Sequence, residues 1–460
     1  MMPTQQTAAR FLLHIRARCM VAFLVTTCVL MLSAASPAHA VDIQEITTPK
    51  GIKAWLVEEH SVPLIALRFA FQGGAALDPV EQQGLATVLS GTLDEGAGEL
   101  DSQAFQKALK QKAIRLSFDA GRDNFFGRLQ SLSANKDTAF ELLRLAINEP
   151  RFDIDPVDRI KAQITESLRR RKNDPESLAI RTWMTIAFKD HPYARDPRGS
   201  IDGVAAVTPD SLRVLLKQLF TKKGLVVAVV GDIDAASLSA LLDTAFGTLP
   251  DNGVTSVVPP ATVSSGPVRT IVDMDIPQSV IQFGHVGIKR NDPDFIPAYV
   301  MNHVLGGGGL TSRLTEEVRE KRGLSYSVYS YLSPFDQAGL FLGGAATQNE
   351  RAGEALEIIE RELKRMAEEG PTDEELAATK TYLTGSYALR FDTSTKIAGQ
   401  LLGIQLESLG IDYIERRNSL IEAITREDVK RVARRLLKPD SLIVTVVGQP
   451  KGIETLAPAQ

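Results

Sequence analysis

The amino-acid sequence predicts an α+β protein of two tandem, homologous α/β-sandwich domains, each a mixed sheet packed with helices. Three observations predict this fold class. The chain contains an internal repeat. In each half strands cluster early and one strand returns late, after several helices. The length of 460 residues is also too great for a single hydrophobic core.

The repeat is clearest near the end of each half. Thr208 precedes a predicted helix that leads into an apolar strand at 224–231, and Thr425 precedes one that leads into a strand at 441–448. The offset between the two threonines is 217 residues (425 − 208), with no gap across the unit. Both threonines are typical helix N-caps, and both strands have the all-apolar composition of strands buried on both faces.

A second pair of matching segments lies earlier in each half. Pro63 and the alternating apolar residues up to Phe71 correspond to Pro277 and the residues up to His285, at an offset of 214. The offset therefore changes by only three residues across a whole half. This near-constancy predicts that the two halves share one fold.

Residues 251–266 predict a linker, because DNGVTSVVPPATVSSG is poor in charge and rich in Pro, Ser, Thr and Val. The predicted domains are therefore 41–250 and 267–460. In the second domain we expect a helix over 350–368, another from a capping box at Thr372 and Glu375 to about Leu389, and further helices up to Leu437.

Residues 1–40 predict a secretory signal peptide. Three arginines precede an apolar run at 20–32, the motif Ala38-His39-Ala40 follows, and no acidic residue occurs before Asp42. We expect cleavage after Ala40 and export to a bacterial periplasm; an uncleaved anchor is the alternative. Both cysteines fall in the removed segment, so the mature chain would have no disulfide. No later stretch is apolar enough to span a bilayer.

The charge of the chain argues against a nucleic-acid partner. The formal net charge is −4, and the predicted signal would take three arginines with it. The basic run at 169–172 ends a predicted helix, where it complements the negative end of the helix dipole. We therefore interpret that run as a solvated helix end.

The candidate site lies in residues 305–331. A charged helix predicted over 311–321 ends at Gly323, before an alternating strand, which places Arg319 close to Tyr326. A guanidinium beside a phenol offers two donors suited to a carbonyl or oxyanion. Without further context, an exposed arginine and a half-buried tyrosine are the simpler interpretation. The helix follows a glycine run: Gly306, Gly307, Gly308 and Gly309.

The R-x6-Y element in SRLTEEVREKRGLSYSV, after a glycine-rich helix end, resembles the C-terminal domain of the insulinase/pitrilysin family of zinc peptidases, particularly its short two-domain branch. The resemblance implies a two-domain clamshell over nearly all of the mature chain. It implies that Arg319 and Tyr326 reach across a cleft towards the substrate carbonyl, next to the zinc. The glycines would let the backbone approach the substrate.

The zinc motif of that family is degenerate in this chain. An inverted H-x-x-E-H follows GLA in the family, whereas Gly84-Leu85-Ala86 is followed here by TVLSG. Thr87, Ser90 and Gly91 therefore replace the first histidine, the glutamate and the second histidine. We expect no metal and no other cofactor in this chain. Glu166, near the place of the third ligand, is interpreted as an ordinary helical glutamate.

The leading hypothesis is a zinc-free subunit of a periplasmic heterodimeric metallopeptidase that acts on short unfolded peptides. Its partner would be a homologous exported chain with an intact H-x-x-E-H and the zinc, and this chain would be inactive alone. One alternative is a non-enzymatic scaffold or peptide-binding protein; another is a self-sufficient metallopeptidase with an atypical site. The retained Arg319 and Tyr326 favour the first hypothesis over the scaffold, and the lost ligands count against the third.

Overall fold

A computed structural model describes residues 42–252 and 257–457. The predicted signal peptide and residues 253–256 of the predicted linker lie outside the described residues. From Ile43 onward the chain forms one compact unit. Within the described ranges, no helix combines the length and the apolar character needed to cross a membrane.

The first half builds a six-stranded mixed sheet in the order β1-β2-β6-β3-β5-β4. Its strands are β1 (Gln44–Thr47), β2 (Lys53–Glu58), β3 (Leu64–Gln72), β4 (Arg115–Ala120), β5 (Asn124–Leu132) and β6 (Leu225–Gly231). Its helices are α1 (Leu85–Thr92), α2 (Ser102–Gln111), α3 (Lys136–Asn148), α4 (Ile154–Lys172), α5 (Pro175–Phe188), α6 (Ile201–Ala205), α7 (Pro209–Leu219) and α8 (Ala235–Phe246).

The second half builds a five-stranded mixed sheet in the order β7-β11-β8-β10-β9. Its strands are β7 (Val268–Val272), β8 (Gln278–Val286), β9 (Ser325–Pro334), β10 (Gly339–Gln348) and β11 (Ile443–Val447). Its helices are α9 (Phe295–Asn302), α10 (Ala352–Glu369), α11 (Asp373–Gly385), α12 (Ser394–Leu406), α13 (Tyr413–Glu422) and α14 (Arg426–Leu436). The predicted fold class, two mixed sheets packed with helices, is confirmed.

The repeat is visible in individual contacts as well as in the order of elements. Thr208 and Thr425 both N-cap their helices, as predicted, and each does so within a capping box. In the first sheet the ring of Phe69 lies over Gly127 on the neighbouring strand, and in the second the ring of Phe283 lies over Gly343. A Cβ at Gly127 would come within 2.0 Å of the Phe69 ring. The same phenylalanine-on-glycine packing therefore occurs in both sheets.

Two predicted helix boundaries are wrong. The helix expected over 311–321 begins only after Ser312. The backbone of Ser312 is extended, and its hydroxyl donates to the Gly309 carbonyl, so the chain is not helical at this residue. The helix then continues as a π-helix over Thr315–Glu320. The helix expected to reach Leu389 ends at Gly385. A 3-10 segment, Ser386–Phe391, follows it. The Thr384 hydroxyl donates to the Lys380 carbonyl there, and such back-bonding disturbs a helix end.

One helix of each half covers the sheet of the other half. Helix α5 packs on β8 and β11, and α12 packs on β3 and β6. Trp183 on α5 donates from Nε1 to the Ile443 carbonyl at 2.9 Å, and Gln405 on α12 donates to the Val227 carbonyl at 3.1 Å. We propose that residues 41–250 and 267–460 are the two repeat units. Each unit contributes one helix that packs on the sheet of the other.

The hairpin turns of the two sheets also meet. Tyr193 donates its hydroxyl to Asp123 at 2.6 Å, in the turn between β4 and β5. The same hydroxyl accepts the Gln337 backbone N–H at 3.1 Å, from the turn between β9 and β10. Burial raises the pKa of Tyr193, with the Asp123 carboxylate as a further cause, so its hydroxyl stays protonated and bridges the two turns.

Candidate functional site

The positions predicted to match the zinc motif lie on α1, and their polar groups are hydrogen-bonded within the protein. Asp78 fixes the start of this helix, because its carboxylate accepts the backbone N–H groups of Gly84 at 2.8 Å and Ala86 at 3.0 Å. The Thr87 hydroxyl donates to the Pro197 carbonyl at 3.0 Å. The buried Ser90 hydroxyl donates to the carbonyl of Thr87 at 2.8 Å. Neither side chain is directed to an open site.

The third position is filled by a neighbouring helix. A Cβ built on Gly91 would lie 2.8 Å from Cγ2 of Ile160 on α4, which is shorter than a van der Waals contact. A histidine therefore has no room there, and the residues present do not fit a zinc ion. In the described ranges, no cluster of three or more His, Cys, Asp or Glu side chains is arranged to hold a metal.

Glu166, His60 and His191 have local partners, and His285 and His303 are buried. Glu166 is exposed and lies 3.7 Å from Arg169 and from Arg170 on its own helix, as in ordinary helical ion pairs. Burial lowers the pKa of His285 to about 4 and also lowers the pKa of His303. His60 bonds to Asp232, and His191 to the Pro259 carbonyl.

Arg319 and Tyr326 do come together. The guanidinium carbon of Arg319 lies 5.0 Å from the centroid of the Tyr326 ring, a cation–π contact worth about 0.5–1 kcal/mol at an exposed site. Nε of Arg319 is 3.2 Å from the carboxylate of Glu320. In the described chain, the Arg319 Nη groups and the Tyr326 hydroxyl have no hydrogen-bond partner. Tyr326 is 83% exposed, so these donors face solvent.

The local backbone explains this pairing. Gly323 has a φ of +59°, a left-handed conformation that reverses the chain between the π-helix and β9. The pairing of β9 with β10 shifts register at Thr347, so Tyr326 falls between paired residues, as in a β-bulge. Because a bulge redirects a side chain, Tyr326 points outward beside Arg319.

The glycine run has structural reasons for its composition. A Cβ on Gly306 would come within 2.6 Å of the Ser330 backbone nitrogen, so this residue must be small for the run to pack on β9. Gly309 has a φ of +61° and open space around it. Packing and backbone conformation thus account for these two glycines without a substrate.

The segment after the glycines is fixed by a buried ion pair. Arg313 is 4% exposed and donates to both oxygens of Glu375 at 2.6 Å. It also donates to the Gly370 carbonyl at 2.9 Å. Two parallel bonds of this kind set direction as well as distance. They hold the segment that leads to Arg319 against the start of α11.

A cavity of 660 Å³ opens beside the glycines, between β9, α9, α12 and α13. Gly306, Gly307 and Gly309 line it, whereas Arg319 and Tyr326 do not. The predicted site residues therefore form two groups. Sequence reasoning missed the cavity-lining charges Arg290, Arg390, Arg417 and Glu407. One signal was available, since Arg417 stands between Tyr413 and Ile421 at helical spacing, on the apolar face of α13.

Comparison with known proteins identifies the family. The family model described as "Peptidase M16 inactive domain" matches residues 206–383. The "Non-peptidase homolog YmxG" of Helicobacter pylori is 30% identical over 358 residues, covering 77% of this chain and 82% of that protein. The chain belongs to the M16 peptidase family. An uncharacterized zinc protease of Mycobacterium leprae is 29% identical over 420 residues, covering 87% of this chain and 90% of that protein.

Two solved structures share this fold. The structure titled as a peptidase M16 inactive domain from Pseudomonas fluorescens superimposes with a TM-score of 0.83 at 27% identity, covering 91% of this chain and 100% of that one. A protease from Helicobacter pylori shares the fold, with a TM-score of 0.79 at 18% identity and coverage of 89% and 100%. The resemblance inferred from R-x6-Y and GLA is thus confirmed. A match to an inactive M16 domain is consistent with a non-catalytic role for this M16 chain.

Proposed function

We propose that this M16 chain is the zinc-free subunit of a heterodimeric metallopeptidase of the periplasm. A homologous exported partner with an intact H-x-x-E-H would hold the zinc and cleave a peptide. This chain would supply part of the cleft wall and two donors to the substrate. Gly306, Gly307, Gly308 and Gly309 would form the backbone surface next to the peptide.

The observation that carries this proposal is the contrast between two sets of family positions. The metal positions Thr87, Ser90 and Gly91 are occupied by internal hydrogen bonds and by Ile160. Arg319 and Tyr326, by contrast, stay paired, with Tyr326 exposed and the Arg319 side chain partly exposed beside it. A fold kept only as a scaffold has no need of outward-facing donors held together by a glycine turn and a bulge.

In this role the two side chains donate to the scissile carbonyl oxygen as it gains negative charge. Such donors act on the transition state more than on the bound substrate. Arg319→Ala and Tyr326→Phe should therefore lower turnover of the reconstituted complex by about 10²–10³ each, with a smaller change in KM. The assay is peptide cleavage by the H-x-x-E-H subunit mixed with wild-type or variant chain.

Two variants on the same half serve as controls. Arg361→Ala and Tyr382→Phe change an exposed arginine and an exposed tyrosine outside the pair, and should leave turnover unchanged. Gel filtration checks that every variant still assembles. Near-wild-type turnover from both Arg319→Ala and Tyr326→Phe would favour the scaffold alternative, in which the chain is a structural partner only.

The chain alone should contain no stoichiometric zinc and cleave no peptide. Elemental analysis of protein purified without chelators tests the first point, and about one zinc per chain would restore the hypothesis of a self-sufficient peptidase. The periplasmic assignment predicts a mature N-terminus at Val41. Native protein that begins before Val41, or is recovered only with membranes, would contradict it.

A further inference from the structure

The cavity beside the glycines has the size and lining of a ligand site. Its volume of 660 Å³ lies within the range of small-ligand pockets in proteins. Aromatic side chains from four structural elements form much of its wall: Phe295, Tyr299, Tyr329, Tyr331, Tyr387 and Tyr413. Such walls suit a ligand with an apolar or aromatic body.

A buried arginine without a counter-ion lies in this wall. Arg417 is 5% exposed, and its guanidinium carbon lies 4.0 Å from the centroid of the Tyr387 ring. Its Nη1 donates to the Leu383 carbonyl and to Oδ1 of Asn418, both at 3.1 Å. Across the described residues, its Nε and Nη2 have no hydrogen-bond acceptor and no carboxylate is paired with it. Burying a guanidinium unpaired is costly, so the arrangement favours an anion.

Two further arginines line the same cavity. Arg290 stacks on Phe295 at 4.2 Å and donates to the Tyr413 hydroxyl at 2.9 Å, which leaves most of its donors unused. Arg390 is exposed and makes no ion pair or hydrogen bond with the part of the chain that the structure describes. Glu407 is the one carboxylate among the lining residues. Three guanidiniums against one carboxylate give the cavity a net positive charge.

The geometry points to a binding site for a carboxylate attached to an apolar or aromatic group. A peptide carries that chemistry in two places, its C-terminal carboxylate and its acidic side chains. This inference deepens the proposed function, on which it rests for the peptide nature of the ligand. Arg417 and Arg390 would bind the carboxylate, and the tyrosines would pack on the neighbouring apolar residue.

The test is calorimetric titration of the mature chain alone with three probes. They are N-acetyl-Ala-Ala-Phe with a free carboxylate, the same peptide as its amide, and N-acetyl-Ala-Glu-Phe amide. At least one carboxylate-bearing probe should bind about tenfold or more tightly than the uncharged amide, because charge-assisted bonds to guanidinium are lost in the amide. The probe that binds identifies the source of the carboxylate.

Variants then assign the effect to this cavity. Arg390→Gln removes an exposed charge from the cavity, so the fold should survive, and it should weaken the carboxylate probe about tenfold while leaving the amide unchanged. Arg416→Gln is the matched control, since Arg416 lies on the same helix as Arg417 but outside the lining, paired with Asp412. It should change affinity less than about twofold. Arg417→Lys keeps the buried charge and tests the need for a planar guanidinium.

Equal binding of acid and amide probes, no binding of any probe, or equal effects of Arg390→Gln and Arg416→Gln would each overturn the inference. Failure here is distinguishable from failure of the proposed function, because binding is measured without a partner. Carboxylate binding combined with unaltered turnover in the Arg319 and Tyr326 variants would contradict the subunit role alone. If the complex is active but this chain alone binds none of the three probes, only the cavity assignment is contradicted.

Discussion

The two halves of the chain differ at the helices that the repeat makes equivalent, α1 and α9. In the first half, α1 is a regular helix whose outer face is closed by Ile160 and by the Pro197 carbonyl. In the second half, α9 runs on into a π-helix, His303–Gly307, and ends in glycines beside an open cavity of 660 Å³. In the first half Ile160 occupies the space beside this helix, whereas in the second half a cavity lies beside it.

This difference suggests how a metal site disappears from a fold without harming it. At the positions predicted to match the ligands, Ser90 bonds within its own turn, Thr87 bonds to the Pro197 carbonyl, and Ile160 fills the space beside Gly91. Among the described residues, the Thr87 and Ser90 hydroxyls both have acceptors, so neither is left free to favour a metal. The second half retains π-helices and a buried unpaired arginine, features that cost stability and are common at functional sites.

The largest expected effect concerns the helices that the halves exchange. Trp183 on α5 is fully buried against the second sheet and bonded to the Ile443 carbonyl, whereas Gln405 on α12 contributes mainly one hydrogen bond to the first. Trp183→Ala should therefore lower the free energy of unfolding by about 3–5 kcal/mol, and Gln405→Ala by about 1 kcal/mol. Urea unfolding followed by circular dichroism measures both.

Thr185→Ala, on the exposed side of α5, is the control and should stay within about 0.5 kcal/mol of wild type. Equal losses of unfolding free energy in Trp183→Ala and Gln405→Ala would show that the two exchanged helices are energetically equivalent, which contradicts the prediction. Two separate unfolding transitions in the Trp183 variant would show instead that the halves fold independently.

Much of the fold was predictable because both halves carry the same local sequence signals for helix starts and buried strands. Capping boxes at Thr208 and Thr425 and the apolar strands after them depend on residues within a few positions of each other. The degenerate motif and the approach of Arg319 to Tyr326 were also accessible, since a helix, a glycine turn and a strand fix them locally.

The remainder depended on contacts between distant segments. The exchange of α5 and α12 pairs residues such as Trp183 and Ile443, which are far apart in sequence and carry no mutual signal. The π-helix at Thr315–Glu320 comes shortly after Arg313, whose ion pair with Glu375 joins residues 62 positions apart. The three cavity arginines come from three separate segments of the chain, so only Arg417, on an apolar helix face, gave any indication of its place.

The next effect compares two residues that the repeat makes equivalent, Phe71 and His285. Phe71 on β3 stacks on Phe220. His285, at the equivalent place on β8, stacks on Phe341 of the neighbouring strand β10. Burial lowers the pKa of His285 to about 4 from 6.5, with the Val286 carbonyl opposing this and Lys438 adding to it. The unfolded chain therefore binds the proton more readily, and stability is lost as pH falls from 6.5 towards 4.

His285→Phe copies the first half and should remove this loss, which amounts to about 3 kcal/mol at most over the window. Unfolding free energies of both proteins at pH 7 and pH 4.5 test it. His60→Gln is a control of opposite sign, because Asp232 and Glu58 raise the pKa of His60 and its contribution fades as pH rises. Parallel pH profiles for wild type and His285→Phe would contradict the prediction.

The smallest effect concerns one helical glycine in each half, and it tests whether Ile160 closes the space beside Gly91. A Cβ on Gly91 of α1 would lie 2.8 Å from Cγ2 of Ile160. A Cβ on Gly399, in the middle of α12, would have no described atom within 4 Å outside its own helix backbone. Gly91→Ala should therefore be destabilising by about 1–3 kcal/mol through overpacking. Gly399→Ala should be stabilising by about 0.5–1 kcal/mol, because alanine is the better helix former.

The opposite signs matter more than either magnitude, since the same methyl group is added to a helix both times. Combining Gly91→Ala with Ile160→Ala removes the contacting Cγ2 of Ile160, so the double variant should be less destabilised than the sum of the two single variants. Additive costs would mean that Ile160 does not close the former metal position. In that case Thr87→His, Ser90→Glu and Gly91→His together should bind zinc, whereas a filled site predicts that this triple variant unfolds more easily and retains no metal.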